Sequence, residues 1–110
     1  MATDPDRSIY VIANHFRKTL YAGTTENECS HRFDEHRDGE TATQAEDKWD
    51  WDEHDIELVG CTSRLTAEMA VAFAHEIEDG EKDRFLNQAL PKAYSLMQQG
   101  YVFLKTDAGK

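Results

Sequence analysis

Two short apolar segments near the start of the chain constrain its fold more than anything else in it. Residues 8–13 read Ser-Ile-Tyr-Val-Ile-Ala and residues 19–23 read Thr-Leu-Tyr-Ala-Gly. The first alternates and is rich in β-branched residues, which suits a strand. Only Asn14-His15-Phe16-Arg17-Lys18 separates the two. So short a polar connection predicts a hairpin, with 19–23 as the return strand. Thr25-x-x-Glu28 then reads as a capping box opening a helix, which should run to about Arg37 and stop before Asp38-Gly39. Cys29, Arg32, Phe33 and His36 fall at i, i+3, i+4 and i+7, so Arg32 and His36 lie one turn apart on the face that carries Phe33. Two tyrosines, an arginine and a histidine thereby converge from a hairpin and the helix packed on it.

The rest of the chain is less regular. Residues 39–55 lack periodicity and are rich in acid, Thr and Ala; with Trp49 and Trp51 they read as a long loop, with a short strand near the tryptophans as an option. Residues 56–61 make a third strand. Thr62, Ser63 and Thr66 offer N-caps for a helix from about Leu65 to Asp79, closed by Gly80. Met69, Phe73 and Ile77 form its apolar stripe; Glu76 falls on that stripe, whereas Glu78 points away. A carboxylate there is costly unless it is paired or bound to metal. Pro91 can open a short helix through Gln98, ended by Gly100, and residues 101–105 look like a fourth strand.

At 110 residues the chain is long enough for one core. No apolar run approaches a membrane span, and the first residues lack the build of a signal peptide, so a cytoplasmic protein is expected. Cys29 and Cys61 do not make a disulfide framework, and their positions on a helix and at a strand end favour buried free thiols. The net charge of −10 is unevenly placed: residues 1–25 sum to about +1, 26–60 to about −10, and 61–110 to about −1. Such a chain has no long-range attraction to nucleic acid. An acid excess of this kind would also suit a salt-rich cytoplasm.

The ordered pattern resembles the GIY-YIG nuclease domain. That family's namesake tripeptides lie on neighbouring strands about ten residues apart; here they read Ser8-Ile9-Tyr10 and Tyr21-Ala22-Gly23. Its next helix carries an arginine and often a histidine four residues later, matched by Arg32 and His36. A later helix carries a metal-binding glutamate, matched by Glu76 in Ala72-Phe73-Ala74-His75-Glu76, and a Leu-Asn pair follows, matched by Leu86-Asn87. The resemblance covers about residues 8–87, and departs from the family at Ser8, at Ala22 and in the acidic insert at 38–55, leaving 88–110 as an added helix and strand. It implies a single α/β domain: a small, mainly antiparallel sheet of three strands, or four, flanked by helices.

It also implies a metal-dependent endonuclease acting on DNA with low sequence specificity. Glu76 would be the ligand of Mg²⁺ or Mn²⁺, a hard cation whose other positions go to water and substrate. Arg32 would hold a phosphate oxygen, Tyr10 would act as general base with His36 taking its proton, Tyr21 would orient the water or phosphate, and Asn87 would brace the site. A homodimer or a protein partner could supply the missing DNA affinity. Each residue has a plainer role open to it. Paired-strand tyrosines pack against one another, Arg32 and His36 can belong to a salt-bridged helix face, Glu76 can pair with Arg64 or Lys92, and Asn87 can cap a helix. His15, His31, His54 and His75 read as surface residues. Two rivals follow: a catalytically silent module whose acidic face meets a basic protein, and an acidic DNA mimic.

Overall fold

A computed structural model of the protein describes residues 5–38, 53, 55–79 and 88–103, the side chains of 74–79 excepted. The elements are β1 (Ser8–Asn14), β2 (Thr19–Thr25), α1 (Cys29–Arg37), β3 (Ile56–Cys61), α2 (Ala67–Asp79), α3 (Pro91–Gln98) and β4 (Val102–Phe103). Together they form a small α/β domain whose mixed sheet has the order β3-β1-β2-β4. The first three strands pair antiparallel, and β4 joins β2 in parallel. No helix among the described residues is long and apolar enough to cross a membrane.

Every residue of β1 is buried, because it lies between two strands and is covered on both faces. The strand's period of two sorts its side chains. Ile9, Val11 and Ala13 join Leu20, Ala22, Val59, Leu65, Leu90, Ala93 and Leu96 in one aliphatic cluster, against which Phe73 of α2 also packs. Tyr10 and Ile12 point the other way, with Tyr21 and Cys29, and are covered by Phe33, Ile56 and Leu58. The aliphatic face carries most of the core. The tyrosine face carries the polar chemistry.

Hairpin register sets one tight fit. Tyr10 lies opposite Gly23 and Val11 opposite Ala22. A Cβ on Gly23 would sit 2.7 Å from Tyr10 Cζ, closer than real Cβ atoms come, and 3.0 Å from Cε1. Glycine is therefore demanded by a ring lying across its backbone. At the turn, Asn14 Oδ1 accepts the Arg17 amide at 3.0 Å, and Lys18 takes the left-handed conformation, φ 54°.

Three local expectations are corrected. The capping box does not form: Thr25 belongs to β2, opposite Ser8, and its Oγ1 accepts the Asn27 amide at 3.0 Å instead. Helix α1 starts three residues later than that box implies, with Glu28 as an N-cap whose side chain makes no capping bond. In α2 it is Thr66 that caps, accepting the Met69 amide at 3.2 Å. Met69 is 45 % exposed, so it does not belong to the inward stripe, which is marked by Ala70 and Phe73.

The third correction concerns the cysteines, which form a Cys29–Cys61 disulfide with Cα atoms 6.1 Å apart. A bulge makes this possible. The β1–β3 register runs Ile12 to Leu58 and Val11 to Gly60, leaving Val59 as an extra residue. Strict alternation would put Cys61 on the face opposite Leu58. The additional residue returns it to the tyrosine face, directly opposite Tyr10. Closing a loop of this size restricts the unfolded chain by roughly 3–4 kcal/mol in the chain-entropy picture.

Gly23→Ala is expected to cost about 1–3 kcal/mol, because the rigid, buried Tyr10 ring cannot retreat. Gly60→Ala, whose Cβ would meet the terminal Cδ2 of Leu90 at 2.6 Å, should cost less, since an aliphatic end can rotate away. Urea unfolding of the two variants checks the order.

Candidate active site on the tyrosine face

Strand pairing fixes Tyr10 and Tyr21 on one face, and α1 lays its Cys29, Arg32, Phe33 and His36 stripe over them. Tyr10 Oη and His36 Nε2 are 2.6 Å apart. The Tyr10 and Tyr21 rings are 6.3 Å apart and tilted, and His36 meets Tyr21 edge-on at 5.4 Å. Tyr10 and Tyr21 are 1 % exposed and His36 is fully buried. These three side chains form a closed aromatic and imidazole cluster.

Arg32 links the cluster to solvent, with its side chain 30 % exposed. It is hydrogen-bonded to Tyr10, and Nη1 lies 3.3 Å from Glu35 Oε1. Burial works against its charge; hydrogen bonding and attraction to Tyr10 and Glu35 outweigh that, so its pKa is raised. Its buried Nε–H meets no acceptor among the described residues. An arginine donates only, so Tyr10 Oη accepts from Arg32; where His36 carries its proton on Nδ1, Tyr10 donates to Nε2. The Tyr10 oxygen thus has an imidazole nitrogen beside it and a cation against it.

The charged-face reading of α1 holds for its other side. Arg37 pairs with Asp34 at 3.1 Å, and His31, which is exposed, lies 3.8 Å from Glu35. Thus the helix presents a site-forming stripe inward and an ordinary ion-paired surface outward.

Glu76 lies on the backbone of α2, but its side chain is outside the described residues, as is the whole of Asn87. His54, His75, Trp49 and Trp51 are also outside the described side chains. Among the described residues, Arg64 Nη1 donates to the Thr25 carbonyl at 3.4 Å, and Lys92 Nζ to Glu57 Oε2 at 2.8 Å. The described packing of α2, through Phe73, is against the aliphatic face. No group of three or more His, Cys, Asp or Glu suited to a metal occurs among the described residues.

One polar centre was not foreseen. His15, expected at the surface, is only 23 % exposed and bridges Tyr101 and Glu57, with Nδ1 2.7 Å from Tyr101 Oη and Nε2 2.9 Å from Glu57 Oε1. The hydrogen bond from Lys92, then that from His15, holds the Glu57 carboxyl below the usual carboxylate range. An ionised Glu57 accepts the Nε2–H of His15; in the tautomer protonated only there, Nδ1 accepts from Tyr101. No sequence spacing could announce this centre, because its members come from the turn, β3 and the approach to β4.

No family model, no curated protein and no solved structure matches this chain.

Two outcomes follow from this geometry. Tyr10→Phe should destabilise the protein by about 1–3 kcal/mol, since it strands a buried His36 nitrogen; thermal unfolding reads it. A depressed carboxylate adds stability that is present above its unfolded pKa and lost as pH falls through the lower, folded value. Stability should therefore decline on acidification below the ordinary carboxylate range. Glu57→Gln should flatten that decline by less than about 1 kcal/mol, because the pair is exposed and screened.

Proposed function

We propose that this chain is a metal-dependent endonuclease that hydrolyses DNA phosphodiesters. The observation that carries the reading is Tyr10 Oη, held between His36 Nε2 at 2.6 Å and the Arg32 guanidinium. A phenol is a poor base unless a cation stabilises its oxygen and a second base takes its proton. Both are in place. The order of Tyr10, Tyr21, Arg32, His36 and Glu76 along the chain, with its resemblance to the GIY-YIG pattern, selects phosphodiester hydrolysis from the chemistries such a base could serve.

In this reading the phosphate enters at Arg32, the partly exposed member, whose planar guanidinium would hold a phosphate oxygen. Tyr10 passes its proton to His36 and receives one from the attacking water, as the new P–O bond forms and the bond to the departing oxygen breaks. Tyr21 bounds the water's position from the neighbouring strand. Glu76 is the residue assigned to a divalent cation, and Asn87 the brace. Bound Mg²⁺ or Mn²⁺ would neutralise charge on the phosphate and the departing oxygen. The net charge of −10 means that DNA affinity rests on local contacts, aided by a second copy or a basic partner.

The closure of Tyr10, Tyr21 and His36 favours a second reading, a silent module of the same design whose acidic surface engages a basic protein.

Nicking of supercoiled plasmid with Mg²⁺ or Mn²⁺ separates the two. Tyr10→Phe, Arg32→Ala and Glu76→Ala should each lower nicking by about 10²–10⁴-fold, measured on variants whose unfolding shows them folded. Nicking that persists through Tyr10→Phe and Glu76→Ala would remove this site from the chemistry. No nicking by wild type at any salt concentration would leave the module reading.

A further inference from the structure

We propose that Cys29–Cys61 is a thiol–disulfide exchange site, attacked at Cys61 by a small thiol or dithiol, and that its redox state governs the docking of α1 over Tyr10. The two sulfurs are not equivalent. Cys61 is exposed at the end of β3, whereas Cys29 is buried as the first residue of α1. Both line an open cleft of about 240 Å³ shared with Glu28, Thr62, Ser63 and Arg64, room enough for a small thiol. Arg64 is a cation at the approach of an anionic nucleophile.

Exchange speed depends on access to the attacked sulfur and on how readily the other leaves as thiolate. A cysteine at a helix N-terminus is a favoured leaving group, because unpaired backbone amides and the helix dipole stabilise its anion. The attacking thiolate forms a bond to Cys61 Sγ as the Cys29–Cys61 bond breaks and Cys29 departs as thiolate. The second thiol of a dithiol then displaces Cys61, which takes up a proton, while the reagent leaves as its cyclic disulfide. Two electrons pass from the dithiol to the protein.

The consequence lies in α1. This nine-residue helix has no side-chain N-cap, and only Cys29 and His36 among its residues are buried. Helices this short depend on tertiary packing. Its ties to the sheet are the disulfide, the half-buried Phe33, and Arg32 and His36 at Tyr10. Cys61 sits opposite Tyr10 in the ladder, so the covalent tie lies beside the contact it secures. Release would free the helix end nearest Arg32 while β1, buried on both faces, stays in place. The inference is independent of whether the chain cleaves DNA.

The test is amide hydrogen exchange on the full chain, oxidised and after dithiothreitol, with Cys29→Ser/Cys61→Ser as a fixed open form. Amides 32–37 should lose protection by at least about tenfold in both open forms, while those of β1 keep theirs. Unchanged α1 protection would overturn the proposal. So would joint loss in α1 and β1, which would make the bond a staple of the whole fold. Reduced glutathione, quenched in acid and mapped by mass spectrometry, should give a mixed disulfide on Cys61; a predominant adduct on Cys29 would overturn the direction of attack.

Discussion

The ring of Tyr10 lying across the backbone of Gly23 is the contact on which the rest of the structure depends. It requires glycine opposite the tyrosine, fixes the hairpin register, and holds the Tyr10 hydroxyl where α1 can reach it. A slip of one residue would pair Tyr10 with Ala22 or Thr24 and Tyr21 with Val11 or Ala13, and so send the two tyrosines to opposite faces of the sheet. Arg32 and His36 could then meet only one of them. Register and chemistry are one specification here, written by the same pair of residues.

The tyrosine face also shows how a small domain places polar groups in a core. Tyr10, His36 and Arg32 form a chain of donors and acceptors. Arginine can only donate, so the phenol oxygen accepts from it. The tautomer of His36 sets the direction of the next bond. The Arg32 Nε–H stays buried and meets no acceptor among the described residues.

Much of this was legible in the sequence because it rests on local periodicity. The hairpin, the third strand, the Pro91 helix and the stripe of Cys29, Arg32, Phe33 and His36 all follow from spacings of two or of three and four residues, and each is found. The approach of Tyr10 to His36 follows from them. What local reading lost were features decided by distant partners. Thr25 and Glu28 have capping-box spacing, yet pairing with Ser8 keeps Thr25 in the strand. Cys29 and Cys61, expected as free thiols from their places on a helix and at a strand end, are brought together by the bulge at Val59, set by β1. Met69 fits an apolar stripe, but the helix turns Ala70 and Phe73 inward instead. His15 found Tyr101 across 86 positions of chain. Glu76 and Asn87, on which the metal reading rests, lie beyond the described side chains.

The centre around His15 has a consequence for the rest of the molecule. Tyr10 and His15 lie five positions apart along an extended strand and turn, about 16 Å at the usual rise per residue. Groups that far apart with no shared partner contribute to stability almost additively. Strand β1 therefore carries two polar assemblies that can be altered separately, one at each end. Substitutions at Glu57, Lys92 or Tyr101 can adjust the anchoring of β4 and α3 without disturbing the tyrosine cluster. For a chain of 110 residues with a single core, that separation leaves one end free to vary while the other is held fixed.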